Sequence, residues 1–169
     1  MPPKVAGAWQ PHLGLAILAT RLQQEGYAAA AVDYSYNAKL PPVEHFVDAI
    51  EPDLLGVSLF SQHLEDTRRL LQRLHRIRPR LPIVVGGPHV SLAPERSVEE
   101  VMAWPGVRTV VRGEADVEIP RIVEEVLNGR SGRVVDCEPI DIGRYCRPNF
   151  ELLAEGREQS QVVERCQLL

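Results

Sequence analysis

From Leu13 to Glu25 (LGLAILATRLQQE) apolar residues recur at helical spacing and stop at Gly26, so a first helix with a left-handed cap is predicted there. Tyr27 to Tyr34 (YAAAAVDY) is a short apolar run before a polar turn, which reads as a strand. Pro41 to Ile50 predicts a second helix with prolines at its start, and Glu51-Pro52-Asp53 breaks it before a strand at Leu54 to Leu59. Further along, the pattern predicts a helix over Leu64 to Ile77, a strand over Leu81 to Val85 and a short helix over Ser97 to Ala103. A strand over Val107 to Val111 and a helix over Ile119 to Leu127 follow. Continuous apolar strands alternating with helices describe a parallel sheet covered on both faces.

The expected fold class is therefore α/β: a flavodoxin-like (Rossmann-like), doubly wound parallel sheet. Its first strand is weak or missing, because MPPKVAGAWQPH, ahead of the first helix, makes a poor strand. After Gly129 the chain turns to SGRVVDCEPIDIGRYCRPNFELL, with prolines, turns and no long period. This reads as an irregular C-terminal extension that lies against something else.

Composition narrows the class of function. At 169 residues and 44% hydrophobic content the chain can build one core of ordinary size. A net charge of -4 gives no electrostatic footprint for nucleic acid or an anionic membrane. Arg68, Arg69, Arg73, Arg76, Arg78 and Arg80 cluster locally and read as a solvated helix face. Cys137, Cys146 and Cys166 are odd in number and have neither disulfide-framework nor zinc-site spacing, so a reducing cytoplasm is expected. No apolar run reaches the about 20 residues that span a bilayer, and the N-terminus lacks a signal-peptide layout.

Candidate chemistry gathers at strand ends. The predicted strands place Ser58 and the pair Gly86-Gly87 at neighbouring carboxyl termini, where open α/β sheets bind ligands. The glycines let a flat ligand approach the backbone, or they terminate a strand in a tight turn. His89 follows in the next loop, where it either touches a ligand or bonds backbone. Glu114, after Arg112-Gly113, either accepts from a ligand or caps the following helix. Asp33 and Tyr34 end another strand, where an Asp is as often a turn former. No GxGxxG or GxxxxGK occurs, which counts against dinucleotide and P-loop binding.

The succession QPHLGLAIL, a strand ending at Asp33, PDLLGVSLF, IVVGGPHVSLAPE and VVRGEADVEIPRIVEEVL resembles the N-terminal cobalamin-binding domain of cobalamin-dependent radical S-adenosylmethionine enzymes. The likeness covers roughly residues 9 to 128. It implies a cobalamin-binding domain over 1–130 and, over 131–169, a linker leading toward a radical domain. It also implies that the cofactor's nucleotide tail threads beside the strands, with Gly86 and Gly87 leaving room and the Ser58 hydroxyl meeting the displaced base. The cofactor-contacting set it implies is Leu13, Gly14, Ser58, Leu59, Phe60, Ser61, Gly86, Gly87, Pro88, His89, Gly113 and Glu114.

Two departures from the family qualify this expectation. The last residues, VVERCQLL, resemble the strand that precedes the family's cysteine triplet, but CxxxCxxC itself is missing, so no iron–sulfur cluster is expected in this chain. The two ends look cut, as in a fragment, a split gene or a misplaced start. If Gly14 closes the DxHxxG motif of other cobalamin folds, Trp9 and Pro11 stand at its aspartate and histidine positions. The resemblance then implies base-off cobalamin with no histidine on cobalt, a state that favours methyl transfer from a methylcobalamin. His12 and His63 lie where either could approach the lower face, or serve as polar loop residues. The expected function is a module that holds methylcobalamin for a radical methyltransferase domain carried elsewhere. The rivals are a ligand-free flavodoxin-like regulatory or interaction domain, a truncated gene fragment, a nucleotide- or flavin-binding enzyme, and a stand-alone cobalamin carrier.

Overall fold

The computed structural model describes residues 12–33 and 41–154. They fall into two compact units, one built from residues up to 41 and from 146 onward, the other from 42–145. KVAGA, Trp9, Pro11, Tyr34, Cys166 and VVERCQLL, all singled out above, lie outside the described residues.

In the first unit the helical period produces α1 (Leu13–Gln24), capped at its start by His12, whose Nδ1 accepts from Leu15 N–H at 3.2 Å. Gly26 takes φ +87°, and the Tyr27 N–H closes back on Leu22 O at 3.0 Å, which gives the left-handed stop that the sequence predicts. The expected strand shortens to β1 (Ala31–Val32), paired in parallel with Leu153–Ala154. Its alanines carry little strand preference, so the pairing is confined to two residues. Thr20 is buried on α1 and bonded twice: its Oγ1 donates to Ala16 O and accepts from Asn149 N–H.

The second unit holds α2 (Val43–Ile50), β2 (Leu55–Ser58), α3 (Leu64–Ile77), β3 (Ile83–Gly86), α4 (Pro88–Leu92) and α5 (Glu95–Met102). Strand β4 (Val107–Gly113), helix α6 (Ile119–Leu127) and strand β5 (Arg133–Cys137) complete it. The sheet order is β2-β3-β4-β5, and every pair is parallel. The valine-rich strands β3 and β4 bury residues on both faces. Leu71 and Leu74 of α3 and Val98 and Val101 of α5 pack with Ile83, Val85 and Val110 on one side. Ile122 and Val126 of α6 pack with Val84, Val111 and Val135 on the other. Each fully buried leucine contributes about 1.5–3 kcal/mol by leaving water.

In the second unit the helix α4 and the strand β5 escaped the sequence pattern. Helix α4 has five residues, too few to show a period. Strand β5 lies in the stretch without a long period, and its register with β4, Val110 to Val134 and Val111 to Val135, comes from two valines and a cysteine. In the arginine cluster, Arg68 and Arg69 pair with Glu65, Arg73 with Glu44, and Arg78 with Asp48 and Glu51. Among the described residues no helix is long and apolar enough to cross a membrane.

Candidate functional site

Because the four strands of the second unit run the same way, Ser58, Gly86, Gly113 and Cys137 end them along one edge. Ser58 stands directly beside Gly86. A parallel pairing puts their Cα–Cβ directions on the same sheet face, and the two-residue period adds Gly56. This leaves a strip of small residues on β2 and β3. A Cβ built on Gly56 meets no atom within 4 Å, and one on Gly86 meets only Val111, at 3.5 Å. The strip therefore provides unfilled space next to a hydroxyl, which fits a flat or extended ligand lying along the backbone.

Gly87 has a different task. It takes φ +101°, and a Cβ there would stand 2.7 Å from Leu59 N and 2.9 Å from Ser58 Oγ. The absent side chain at Gly87 is used by the protein's own backbone, so within the pair it is Gly86 that faces open space. The packing lets α4 start against the loop after β2. Leu59 N–H donates to Gly86 O at 2.8 Å, and His89 N–H donates to Leu59 O at 3.0 Å. Ser61 Oγ and His89 Nδ1 share a hydrogen bond of 2.9 Å. Leu59 is fully buried, its side chain in the core and its N–H and carbonyl bonded to Gly86 and His89, so it offers the edge no free surface.

A second set of links continues toward β4. Ser91 Oγ donates to Gly87 O and accepts the Gly113 N–H, both at 3.0 Å, tying the ends of β3 and β4 through α4. Gly113 has φ +80° and packs against the Cys137 carbonyl. Glu114 Oε2 accepts from the Ile140 N–H at 2.9 Å and from the Tyr145 hydroxyl at 2.5 Å. Its carboxylate thus binds the segment after β5 and does not cap α6, whose N-cap Glu118 makes no side-chain capping bond.

The Tyr145 bond, then the Ile140 N–H, holds the Glu114 carboxyl below the usual carboxylate range, while the same bond pushes the Tyr145 hydroxyl up to about 12. For Glu114, with a lowered folded value, the contribution is present above the ordinary value of 4.5 and is lost as pH falls through the folded one. For Tyr145, with a raised value, it is present below the ordinary 10 and is lost as pH rises through about 12. The bond therefore persists through the neutral range. A tyrosinate absorbance titration of the wild type minus Tyr145→Phe should show one tyrosine ionising at about 12; a difference curve centred on 10 would contradict the bond.

Of the residues predicted from sequence, Ser58, Leu59, Phe60, Ser61, Gly86, Gly87, Pro88, His89, Gly113 and Glu114 all fall at or just beyond the strand ends of this one unit. Leu13 and Gly14 form the first turn of α1 in the other unit, both exposed. His63 is exposed and bonds Gln62. Gly56, Ser91 and Tyr145 were not singled out. Gly56 was findable, since it lies one strand period before Ser58; Ser91 and Tyr145 have no local signal.

The model described as "B12 binding domain" matches residues 4–123. This chain belongs to that family. Its cofactor class is cobalamin, and the small-residue strip beside Ser58 fits an extended ligand of that kind. The B12-binding domain is similar to the "Uncharacterized methyltransferase PH0819" of Pyrococcus horikoshii, 26% identical over 127 residues, which are 75% of this chain and 27% of the relative. It is also 30% identical over 103 residues to the "Cobalamin-dependent radical SAM methyltransferase TokK" of Streptomyces tokunonensis, covering 60% of this chain and 15% of that protein. The chain thus spans about a quarter or less of these curated relatives. A crystal structure of the N-terminal domain of the hypothetical protein TM0182 of Thermotoga maritima overlaps 81% of this chain and 100% of its own, at 20% identity and a TM-score of 0.45.

Proposed function

We propose that this B12-binding domain holds cobalamin in a base-off form, with no histidine on cobalt, for a radical S-adenosylmethionine methyltransferase whose iron–sulfur site lies outside residues 1–169. The observation that carries the reading is the register of Ser58 with Gly86, which places a hydroxyl beside an unfilled strip on the face of β2 and β3. In this reading the strip takes the nucleotide tail and the Ser58 hydroxyl bonds the displaced base. Phe60, Ser61, Pro88 and His89 form the rim, cross-linked by the Ser61–His89 bond, so the rim is ordered before the cofactor arrives. Cobalamin supplies the methyl-transfer chemistry when bound, and the chain supplies position and environment.

The absence of histidine from cobalt is supported by Trp9 and Pro11, neither of which can coordinate. It is further supported by His12, whose Nδ1 is engaged in capping α1. The radical partner is supported by the kind of protein that TokK is named as, and residues 131–169 would lead toward that partner. The methylated form of the cofactor follows from the same reading.

The test is an absorbance spectrum of the purified chain after incubation with hydroxocobalamin and desalting. Retained cobalamin with a base-off band is the expected result. A base-on spectrum would remove the base-off proposal, and a folded sample that emerges colourless would remove cobalamin holding by this chain.

A further inference from the structure

Beyond β5 the chain does not simply leave the sheet. Residues 138–145 return to the carboxyl end of β4, where Glu114 binds them twice, through the Ile140 N–H and the Tyr145 hydroxyl. The segment holds itself in a compact shape between these two points. Asp141 Oδ1 accepts from Gly143 N–H at 3.1 Å, and Asp141 O accepts from Arg144 N–H at 2.8 Å, making a single 3-10 turn over Ile142–Arg144. Within the segment Glu138, Pro139, Asp141, Gly143, Arg144 and Tyr145 are all exposed. An exposed stretch of this kind opens locally at low free energy, and its two bonds to the Glu114 carboxylate oppose that opening.

The clasp is joined to the rim of the candidate cofactor site by covalent and hydrogen-bonded neighbours. Glu114 follows Gly113, whose N–H is held by Ser91 Oγ; Ser91 is bonded in turn to Gly87 O, and Gly87 packs on Ser58 and Leu59. A single connected set of contacts therefore runs from Ser58 to Tyr145.

We propose that Glu114 and Tyr145 form a clasp that holds residues 138–145 over the carboxyl end of β4 and slows exchange of the cofactor at that edge. The cofactor part rests on the cobalamin reading above; the clasp itself does not. The acidic groups near the Tyr145 hydroxyl are Glu114 and Asp116, and both oppose its ionisation, so the hydroxyl stays a donor throughout the neutral range.

Trypsin can report the clasp in the full chain without cofactor, since Arg144 offers an exposed cleavage point inside the segment. Tyr145→Phe and Glu114→Ala should each speed cleavage after Arg144 by roughly three- to tenfold, the effect of losing an ordinary hydrogen bond at an exposed position. Glu114→Gln, which keeps an acceptor oxygen, should fall between Glu114→Ala and the wild type. In the cobalamin-loaded protein, the same variants should release the cofactor faster by a similar factor. Unchanged cleavage in Tyr145→Phe and Glu114→Ala would overturn the clasp. Faster cleavage with unchanged cobalamin release would overturn its control of exchange. If the wild type takes up no cobalamin, the cofactor reading fails and exchange control fails with it, while the cleavage rates still decide the clasp.

Discussion

Gly86→Leu should give a folded protein that retains about tenfold to a hundredfold less cobalamin, the size of a 1–3 kcal/mol steric penalty. In the register of β2 and β3, Gly86 stands beside Ser58 and shares its sheet face. Gly86 needs no left-handed backbone, and a Cβ on it would make only ordinary contact with Val111 at 3.5 Å. The first carbon of a substituted side chain is therefore tolerated, and the remainder extends into the space beside Ser58. Circular dichroism should match the wild type while colour after desalting is lost. Full retention of cobalamin by Gly86→Leu would show that the tail does not pass this strip.

Gly87→Val should instead damage the fold, lowering unfolding stability by about 2–5 kcal/mol from a left-handed backbone cost and overpacking combined. Here φ is +101°, and the new Cβ would stand 2.7 Å from Leu59 N and 3.0 Å from Leu59 O. Both are backbone atoms held in place, because Leu59 N–H donates to Gly86 O and Leu59 O accepts from His89 N–H. The loop after β2 has no flexible end to move aside. Urea titration by circular dichroism measures the loss, and a midpoint equal to the wild type's would mean that the β2 and α4 ends are not packed as described. The two adjacent glycines thus separate experimentally: one substitution removes ligand, the other removes stability.

The clearest parts of the fold were legible because they satisfy local rules. Helix α3 runs from Leu64 to Ile77, with acidic residues in its first turn, basic ones in its last and a leucine face that the core accepts. Strand β3 and the centre of β4 are runs of branched residues, which suit strands buried on both sides. Where local preference is weak, neighbours decide. Ala31–Val32 pairs only where Leu153–Ala154 meets it, and Arg133–Cys137 is a strand because the exposed edge of β4 offers it a ladder.

The candidate site divides in the same way. Ser58, Gly86, Gly87 and His89 could be picked out from the chain itself, since they follow strands in an alternating α/β pattern and open sheets place ligands at that edge. Their separate tasks could not. A sequence shows two adjacent glycines as equals; the tertiary structure distinguishes them through a backbone angle and the approach of Leu59, a residue far away along the chain. Likewise Glu114 reads locally as a helix cap or ligand contact, yet its partners are Ile140 and Tyr145, brought back by the path of β5. Hydrophobic period and strand-end chemistry are short-range properties, so the sequence by itself determined the α/β class and the strand ends at which the candidate residues gather. Hydrogen-bond partners and steric clearances depend on segments distant in sequence meeting in space, and those only the tertiary structure decided.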